Sequence, residues 1–234
     1  MEPLAALAAE PGAAALVFDV DGTLAPIVDD PADALVPETT RAELRRLAAR
    51  YGLVACVSGR PEDRARAIVG VPELAYVGEH GLGLDPDAGK WADAVRRFVD
   101  GTHRPAERKS YSAAFHFRTA DDEDAARAEL AQVAAAAEAL GLRTRWGRQV
   151  LEVLPPVDAS KRTAVERLLA QAKLRRALYA GDDTTDLDAF AALERLELGV
   201  RVAVASAEAP TELLEQADVV VESPVALVRV LAEL

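Results

Sequence analysis

The chain has 234 residues, half of them hydrophobic, which is enough to bury a proper core and argues against disorder. A formal net charge of −12 argues against a general binder of nucleic acid or of anionic membranes, because their phosphate groups would be repelled. The single cysteine, Cys56, excludes an internal disulfide framework, and neither a signal peptide nor an apolar run of roughly 20 residues is found, so we expect a cytoplasmic protein.

Short apolar runs alternate with amphipathic segments of helical length, a pattern typical of βαβ units around a parallel sheet. In chain order, the first part predicts a strand at 15–20, a helix at 38–50, a strand at 53–60, a helix at 61–70 and a strand at 74–78. The later part predicts helices at 161–172, 184–196, 209–217 and 224–234, and strands at 176–183, 200–206 and 218–223. Each strand ends where polar residues begin.

The segment between these two parts has a different pattern. It contains a helix at 91–100, an alternating strand at 111–118, an Ala-rich helix at 121–140, and two strands on either side of Gly147. Alternation along the strands indicates a sheet with one covered face. We therefore predict an α/β fold: a Rossmann-like core domain with a parallel sheet, formed by residues 1–81 and 157–234, and an inserted α+β cap domain, 82–156.

Polar residues gather where predicted strands of the core end, which is where open α/β sheets bind ligands. They are Asp19, Asp21, Gly22 and Thr23 after the first strand, Ser58, Gly59 and Arg60 after the second, Lys161 after the insert, and Asp182, Asp183 and Asp186 after the strand that begins at 176. Several carboxylates in one place repel one another unless a cation lies among them. Magnesium prefers carboxylate and carbonyl oxygens, so we predict a Mg²⁺ site made by Asp19, Asp182 and the backbone carbonyl of Asp21, with Asp186 or Asp183 in support.

Asp19 and Asp21 point to the same side of an extended chain, so both carboxylates can reach one ligand. We predict that Asp19 attacks phosphorus to form an aspartyl-phosphate, and that Asp21 protonates the leaving alkoxide and then deprotonates the attacking water. The predicted substrate-binding residues around the phosphate are Thr23, Ser58, Gly59, Arg60 and Lys161.

Structural roles stay open for several of these side chains. Ser58 could cap the helix that follows it, Lys161 could be an ordinary surface lysine, and Asp183 or Asp186 could cap the helix at 184.

The motifs "DVDGT", "VSGR", Lys161 and "GDDTTD" resemble, in this order, the four motifs of the haloacid-dehalogenase (HAD) superfamily, and the insert resembles its cap after the third strand. More narrowly, "FDVDGTLAPIVDDP", "GEHG", "ERKSYSAAFHFR", "GRQVLEVLPP" and "YAGDDTTDLDAF" are similar to trehalose-6-phosphate phosphatases. The resemblance implies a magnesium-dependent hydrolase of trehalose biosynthesis, with a small sugar phosphate as its substrate and no required protein partner.

In that family a Glu-x-Lys pair and a later Glu on the cap bind the distal sugar hydroxyls. The resemblance places these roles on Glu107, Lys109 and Glu152, with Arg118, His116 and the pair Glu79 and His80 as further candidates. A structural role stays open for His116 within its strand and for Glu152 as an edge-strand charge.

Two other functions are compatible with the same residues. The core does not distinguish capped phosphatases acting on sucrose 6-phosphate, mannosyl-3-phosphoglycerate or glucosyl-3-phosphoglycerate. A receiver-like switch domain also surrounds a magnesium ion with aspartates, a Ser or Thr and a Lys. Such a domain does not require a proton-transfer residue like Asp21.

Overall fold

The structure, a computed structural model, describes residues 2–28, 30–118, 120–147, 149–206 and 209–234. Asp29 and Arg148, which belong to motifs quoted above, therefore lie outside the described residues. The chain divides into two compact units, a core unit of Met1–Leu84 with Ala159–Leu234 and an inserted unit of Asp85–Asp158.

The strands and helices of the described residues are numbered in chain order. The strands are β1 (Ala15–Phe18), β2 (Leu53–Val57), β3 (Ala75–Val77), β4 (Glu107–Arg108), β5 (Ala113–His116), β6 (Arg143–Gly147), β7 (Val150–Leu154), β8 (Arg176–Gly181), β9 (Leu198–Val204) and β10 (Val219–Val221). The α-helices are α1 (Glu2–Ala9), α2 (Glu38–Ala48), α3 (Glu62–Val69), α4 (Ala88–Thr102), α5 (Glu123–Ala139), α6 (Lys161–Ala172), α7 (Thr184–Leu193), α8 (Thr211–Gln216) and α9 (Pro224–Ala232). Among these helices, none has both the length and the apolar character needed to cross a membrane.

The core unit contains a six-stranded parallel sheet in the order β10-β9-β8-β1-β2-β3. All four residues of β1 are buried, as expected for an apolar strand at the centre of a parallel sheet with both faces covered. One face packs against α1, α2, α3 and α9, and the other against α6, α7 and α8. The α/β fold predicted from the alternating pattern is confirmed.

The order of the strands reverses beside β1. From β1 the chain builds outward through β2 and β3 on one side, and later through β8, β9 and β10 on the other. Residue Phe18 at the end of β1 pairs with Cys56 of β2 and with Ala180 of β8, so these three strands end at the same edge. Such a switch point is where open α/β sheets bind ligands.

Strand β1 is shorter than the predicted strand at 15–20 because the chain turns after Phe18. The N–H groups of Leu24 and Ala25 both donate to the Val20 carbonyl oxygen, at 3.0 and 2.8 Å. Helix α1 was not predicted; it buries Leu4 and Leu7 in the core, three positions apart on one helical face.

The inserted unit contains a four-stranded antiparallel sheet in the order β4-β5-β7-β6, covered on one face by α4 and α5. Phe115, Leu151 and Val153 point to the helices and are buried, whereas Glu152 points to the opposite face. The register aligns Ala114 with Glu107 on one side and with Glu152 on the other. The two carboxylates therefore lie in one row across the uncovered face.

Candidate active site

The loop that follows β1 passes unusually close to Asp182, and Gly22 makes this approach possible. Gly22 has a φ of 80°, and a Cβ placed on it would lie 2.0 Å from the Asp182 Oδ2 atom. Only glycine fits here, because the conformation is left-handed and there is no room for a side chain.

We expect Gly22→Ala to lower the free energy of unfolding by about 1–3 kcal/mol, because both the backbone strain and the clash with Asp182 must be relieved. Chemical denaturation followed by circular dichroism measures this. Gly101→Ala is the matched control: it lies inside α4 with open space around its Cβ position, so it should be neutral or stabilising. Equal effects of the two substitutions would contradict the close approach.

Lys161 connects two carboxylates from different parts of the chain. Its Nζ atom lies 3.0 Å from Asp19 Oδ1 and 2.6 Å from Asp186 Oδ1, and its side chain is only 3% exposed. Lys161 is the first residue of α6, whose start is fixed by a capping box between Ser160 and Thr163. The alternative of an ordinary surface lysine is excluded by this burial.

Asp186 is held by four donors. Its Oδ1 accepts from Lys161 Nζ and from the Tyr179 hydroxyl, both at 2.6 Å, and its Oδ2 accepts from the N–H groups of Asp182 and Asp183, both at 2.9 Å. Both oxygens are therefore used, and the residue is fully buried. This arrangement suits Asp186 to orienting Lys161 and the Asp182 backbone rather than to binding a ligand directly.

Asp182 and Thr23 link the two loops at the edge of the sheet. Thr23 Oγ1, fully buried, donates to Asp182 Oδ1 at 2.9 Å. Asp182 Oδ2 accepts no hydrogen bond from the described residues, and neither does Asp19 Oδ2. Asp183, by contrast, is exposed and accepts from the Thr184 N–H. It is therefore the N-cap of α7, the structural role left open for it in the sequence.

The carboxyl groups of this site are difficult to ionise together. Burial raises the pKa of Asp19 well above its usual value, Lys161 opposes the rise, and Asp186 and Asp182 add to it. Burial, together with the charge of Asp186, raises the pKa of Asp182 to about 7. Burial alone would lower the pKa of Lys161, but the carboxylates of Asp186 and Asp19 outweigh it and keep Lys161 protonated.

Three buried carboxylates thus surround one ammonium group. Oxygen atoms of Asp19, Asp182 and Asp186 all lie within 4.8 Å of one another. Like charges at this separation are stabilised by a further cation, and hard divalent ions select an all-oxygen donor set. The cluster is therefore compatible with a divalent metal ion, with Asp19 and Asp182 offering the oxygens that other donors leave open.

The carboxylate of Asp21 is not a member of this three-carboxylate cluster. It accepts from Arg60 Nε and Nη2, both at 2.7 Å, so Arg60 binds the predicted proton-transfer residue. The chain has left the strand by residue 19, so alternation along β1 does not set the directions of these side chains; Asp19 pairs with Lys161 and Asp21 with Arg60. That both carboxylates reach one ligand stays a prediction.

Ser58, Gly59 and His80 form the neighbouring part of the edge. Ser58 is buried, and its Oγ accepts from the Arg60 N–H at 3.2 Å. Helix α3 begins at Glu62 after Pro61, so Ser58 is not its cap. A Cβ on Gly59 would lie 2.5 Å from His80 Nε2, which places the imidazole directly over the Gly59 backbone.

The inserted unit carries its own polar cluster on the uncovered face of its sheet. Glu152 accepts from Lys109 Nζ at 2.9 Å and from Arg145 Nε at 2.8 Å, and its side chain is 13% exposed. Glu107 lies at 2.8 Å from His116 Nε2, and both of these side chains are about half exposed. Arg118 is exposed just beyond β5 and makes no ion pair with this cluster.

Sequence reasoning missed two residues of these clusters. Tyr179 is buried inside β8, and its hydroxyl donates to Asp186; burial raises the pKa of Tyr179 well above its usual value, which keeps that donor protonated. Arg145 is directly opposite Glu152 in the antiparallel register. Of the two, only Arg145 could have been predicted from the sequence, because a hairpin around residues 147–150 aligns positions 145 and 152.

Comparison with known proteins gives a consistent result. A family model described as trehalose-phosphatase matches residues 17–104 and 95–219. A trehalose-phosphate phosphatase from Mycobacterium avium is 37% identical over 207 residues, which cover 76% of this chain and 51% of the relative. The chain thus spans about half the length of that relative.

Two solved structures have the same fold. The C-terminal domain of C. albicans trehalose-6-phosphate phosphatase superposes with a TM-score of 0.73 at 21% identity, covering 99% of this chain and 94% of that one. A haloacid dehalogenase-like hydrolase from Bacteroides thetaiotaomicron superposes with a TM-score of 0.67 at 14% identity, covering 93% and 98%. At these identities the two structures establish the fold alone.

Proposed function

Because the chain belongs to the trehalose-phosphatase family, we propose that it hydrolyses trehalose 6-phosphate to trehalose and inorganic phosphate, a reaction of trehalose biosynthesis. The observation that carries the proposal is the buried contact between Asp19 and Lys161 beside Asp182, at the switch point of the parallel sheet. It supplies a nucleophile, a fixed positive charge and a metal-compatible donor set in one place. The cytoplasmic location stays a prediction from the sequence.

In the first step, an Asp19 oxygen attacks phosphorus and a new O–P bond forms. The bond between phosphorus and the sugar oxygen breaks, its electron pair goes to that oxygen, and the oxygen takes the proton of the Asp21 carboxyl group. Lys161 stabilises the charge that collects on the transferring phosphoryl group, because its ammonium is held next to the nucleophile.

In the second step, water attacks the aspartyl-phosphate. Its oxygen bonds to phosphorus, its proton goes to the Asp21 carboxylate, and the bond between phosphorus and Asp19 breaks. Asp19 is then a free carboxylate and Asp21 is again protonated, so the cycle is closed. The donors proposed for the phosphoryl oxygens are Ser58 and the backbone N–H groups of the loop after β1.

Mg²⁺ is the proposed cofactor, held by Asp19 and Asp182, where it would neutralise phosphoryl charge. Asp186 supports this site through its four hydrogen bonds. The sugar would be recognised by Glu107, Lys109 and Glu152 of the inserted unit, since carboxylates accept from vicinal hydroxyls and an ammonium donates to them.

A substrate panel tests the proposed function. Phosphate release should be measured with magnesium for trehalose 6-phosphate, glucose 6-phosphate, sucrose 6-phosphate, the two glycosyl-3-phosphoglycerates and an aryl phosphate. Trehalose 6-phosphate should have the highest kcat/KM. If glucose 6-phosphate does as well, the narrow substrate assignment fails; if the protein accepts one phosphoryl group and never turns over, it is a switch domain.

We expect Lys109→Met and Glu152→Gln each to lower kcat/KM for trehalose 6-phosphate by about 10–100-fold, the value of one lost hydrogen bond to a charged group. Losses on the aryl phosphate, which has no sugar, should be within about 3-fold. The control is Glu129→Gln, because Glu129 lies on α5 and forms an exposed ion pair with Arg104. Equal losses on both substrates would remove Lys109 and Glu152 from the sugar site.

Metal binding should stabilise the protein more as pH rises. The folded pKa of Asp182 is about 7, above its ordinary value of 3.8, so between these values the folded state holds more protons than the unfolded state. Without metal, the free energy of unfolding therefore falls as pH rises through that window, whereas a divalent ion stabilises the ionised form. The shift in unfolding midpoint between magnesium and EDTA should be larger near about pH 8 than near about pH 5.

Asp182→Asn provides the control for this measurement. It removes one of the two open carboxylates, so both the magnesium-induced shift and most of its pH dependence should disappear. A shift of the same size at both pH values, or in both proteins, would place metal binding elsewhere.

A further inference from the structure

Arg60 takes no part in the mechanism above, yet its side chain is fixed at three nitrogen atoms. Nε donates to Asp21 Oδ2 and Nη2 to Asp21 Oδ1, both at 2.7 Å, while Nη1 donates to the Pro31 carbonyl oxygen at 2.8 Å. Two parallel N–H···O bonds define the plane of a carboxylate as well as its distance. Asp21 is therefore held in one orientation by a guanidinium that is itself anchored.

The base of the Arg60 side chain is equally constrained. Its N–H donates to Ser58 Oγ at 3.2 Å, and its carbonyl oxygen accepts from the Glu79 N–H at 2.9 Å. Gly78 packs so closely that a Cβ on it would lie 2.7 Å from the Arg60 carbonyl oxygen. The guanidinium thus reaches Asp21 from backbone that is fixed between the ends of β2 and β3.

This geometry matters for proton transfer. Both oxygens of Asp21 are engaged by Arg60, so one of the two contacts must open before that oxygen can face a leaving group. The other contact and the Pro31 anchor can persist, so the carboxyl group turns about a fixed point instead of sampling every rotamer. Restricting a reacting group to near-productive orientations is a substantial source of rate acceleration.

We propose that Arg60 is a positioning residue that acts through Asp21, restricting its carboxyl group to orientations that reach the ester oxygen. This inference rests on the proposed function, and it replaces the predicted role of Arg60 as a substrate-binding residue. A substrate-binding Arg60 would contact the phosphoryl group, which every phosphate ester shares. A positioning Arg60 affects formation of the aspartyl-phosphate only where the leaving group needs a proton, whereas the later attack of water is the same for every ester. The quantity kcat/KM reports on the first of these steps alone, because release of the leaving group makes that step irreversible.

The experiment compares two esters with opposite needs. In trehalose 6-phosphate the leaving alkoxide requires protonation, whereas the para-nitrophenolate of para-nitrophenyl phosphate departs without it. Arg60→Met should lower kcat/KM for the sugar ester by about 10–100-fold, and kcat/KM for the aryl ester by no more than about 3-fold. Arg60→Lys should be intermediate, because an ammonium cannot form the two-pronged contact.

A double-mutant cycle gives the second readout. In an Asp21→Asn background, Arg60→Met should cause little further loss, since a residue that acts through Asp21 has nothing left to position. Arg45→Met is the control, because Arg45 forms a comparable ion pair with Glu38 on the surface of α2 and should leave both activities unchanged. Thermal unfolding checks folding, and Arg60→Lys answers the same question if Arg60→Met is unfolded.

The outcomes distinguish failure of the positioning role of Arg60 from failure of the proposed phosphatase function. Equal losses of kcat/KM on both esters, or full additivity with Asp21→Asn in kcat/KM for the sugar ester, would overturn the positioning role while leaving the phosphatase intact. If the unmutated protein hydrolyses neither ester, the proposed function itself fails and the role of Arg60 falls with it.

Discussion

Replacing Asp19 with Asn should reduce turnover of trehalose 6-phosphate by at least about 10⁴-fold. The amide keeps the shape of the side chain but is too weak a nucleophile to form an acyl phosphate. Because the first step is lost, the aryl phosphate should be affected as strongly as the sugar phosphate. The residual rate is measured as phosphate release over several hours. The enzyme concentration should be high enough for this rate to exceed background hydrolysis.

The fold should survive this substitution. Burial raises the pKa of Asp19 and so disfavours its charged form, which means that a neutral amide is tolerated there, and Lys161 keeps its contact with Asp186 at 2.6 Å. We expect the unfolding free energy to change by no more than about 1 kcal/mol. Asp188→Asn, the same chemical change at an exposed position of α7, is the control and should retain full activity. A folded Asp19→Asn protein with undiminished turnover would falsify the nucleophile assignment.

Replacing Lys161 with Met should damage both stability and activity. Lys161 is 3% exposed and contacts Asp19 and Asp186, so its removal leaves buried carboxylates without their ammonium partner. Breaking a buried ion pair from one side destabilises a protein by about 3–5 kcal/mol. Loss of the charge beside the transferring phosphoryl group should also lower kcat by at least about 10²-fold.

The destabilisation by Lys161→Met should shrink at low pH. Protonation at low pH neutralises Asp19 and Asp182, whose pKa values burial already raises, and so reduces the penalty. Denaturant unfolding at neutral and acidic pH measures this difference. Lys90→Met, which breaks an exposed pair with Asp87, should change stability by at most about 1 kcal/mol at either pH. If both lysines behave alike, Lys161 does not stabilise a buried acidic cluster.

The sequence predicted the parallel core well because its strands are short apolar runs and its helices have clear ends. Helix α6 begins and ends at the predicted residues, 161 and 172, since Ser160 provides the N-cap and Lys173 adopts a left-handed conformation after it. The family was also predicted correctly from the order of four polar motifs. These features are local, so residue identity and spacing are sufficient to reveal them.

The orientation of the site residues could not be predicted in the same way. Thr23 donates to Asp182, 159 positions away, and Asp21 accepts from Arg60, 39 positions away; local spacing predicts neither contact. Alternation along a strand placed Asp19 and Asp21 together only on the assumption that the strand continues to Val20. It ends at Phe18 because backbone hydrogen bonds after that residue close a turn.

Local periodicity and residue spacing were therefore sufficient to predict the individual strands and helices of the core, the family, and the groups of polar residues that end the strands. The partner of each oxygen follows from tertiary packing: Asp186 accepts from Lys161, Tyr179 and two N–H groups, whereas Asp19 and Asp182 each keep one oxygen that accepts no hydrogen bond from the residues that the structure describes. The physical reason is that secondary structure follows from local periodicity, whereas hydrogen bonding among buried charges depends on loops packed from distant parts of the chain.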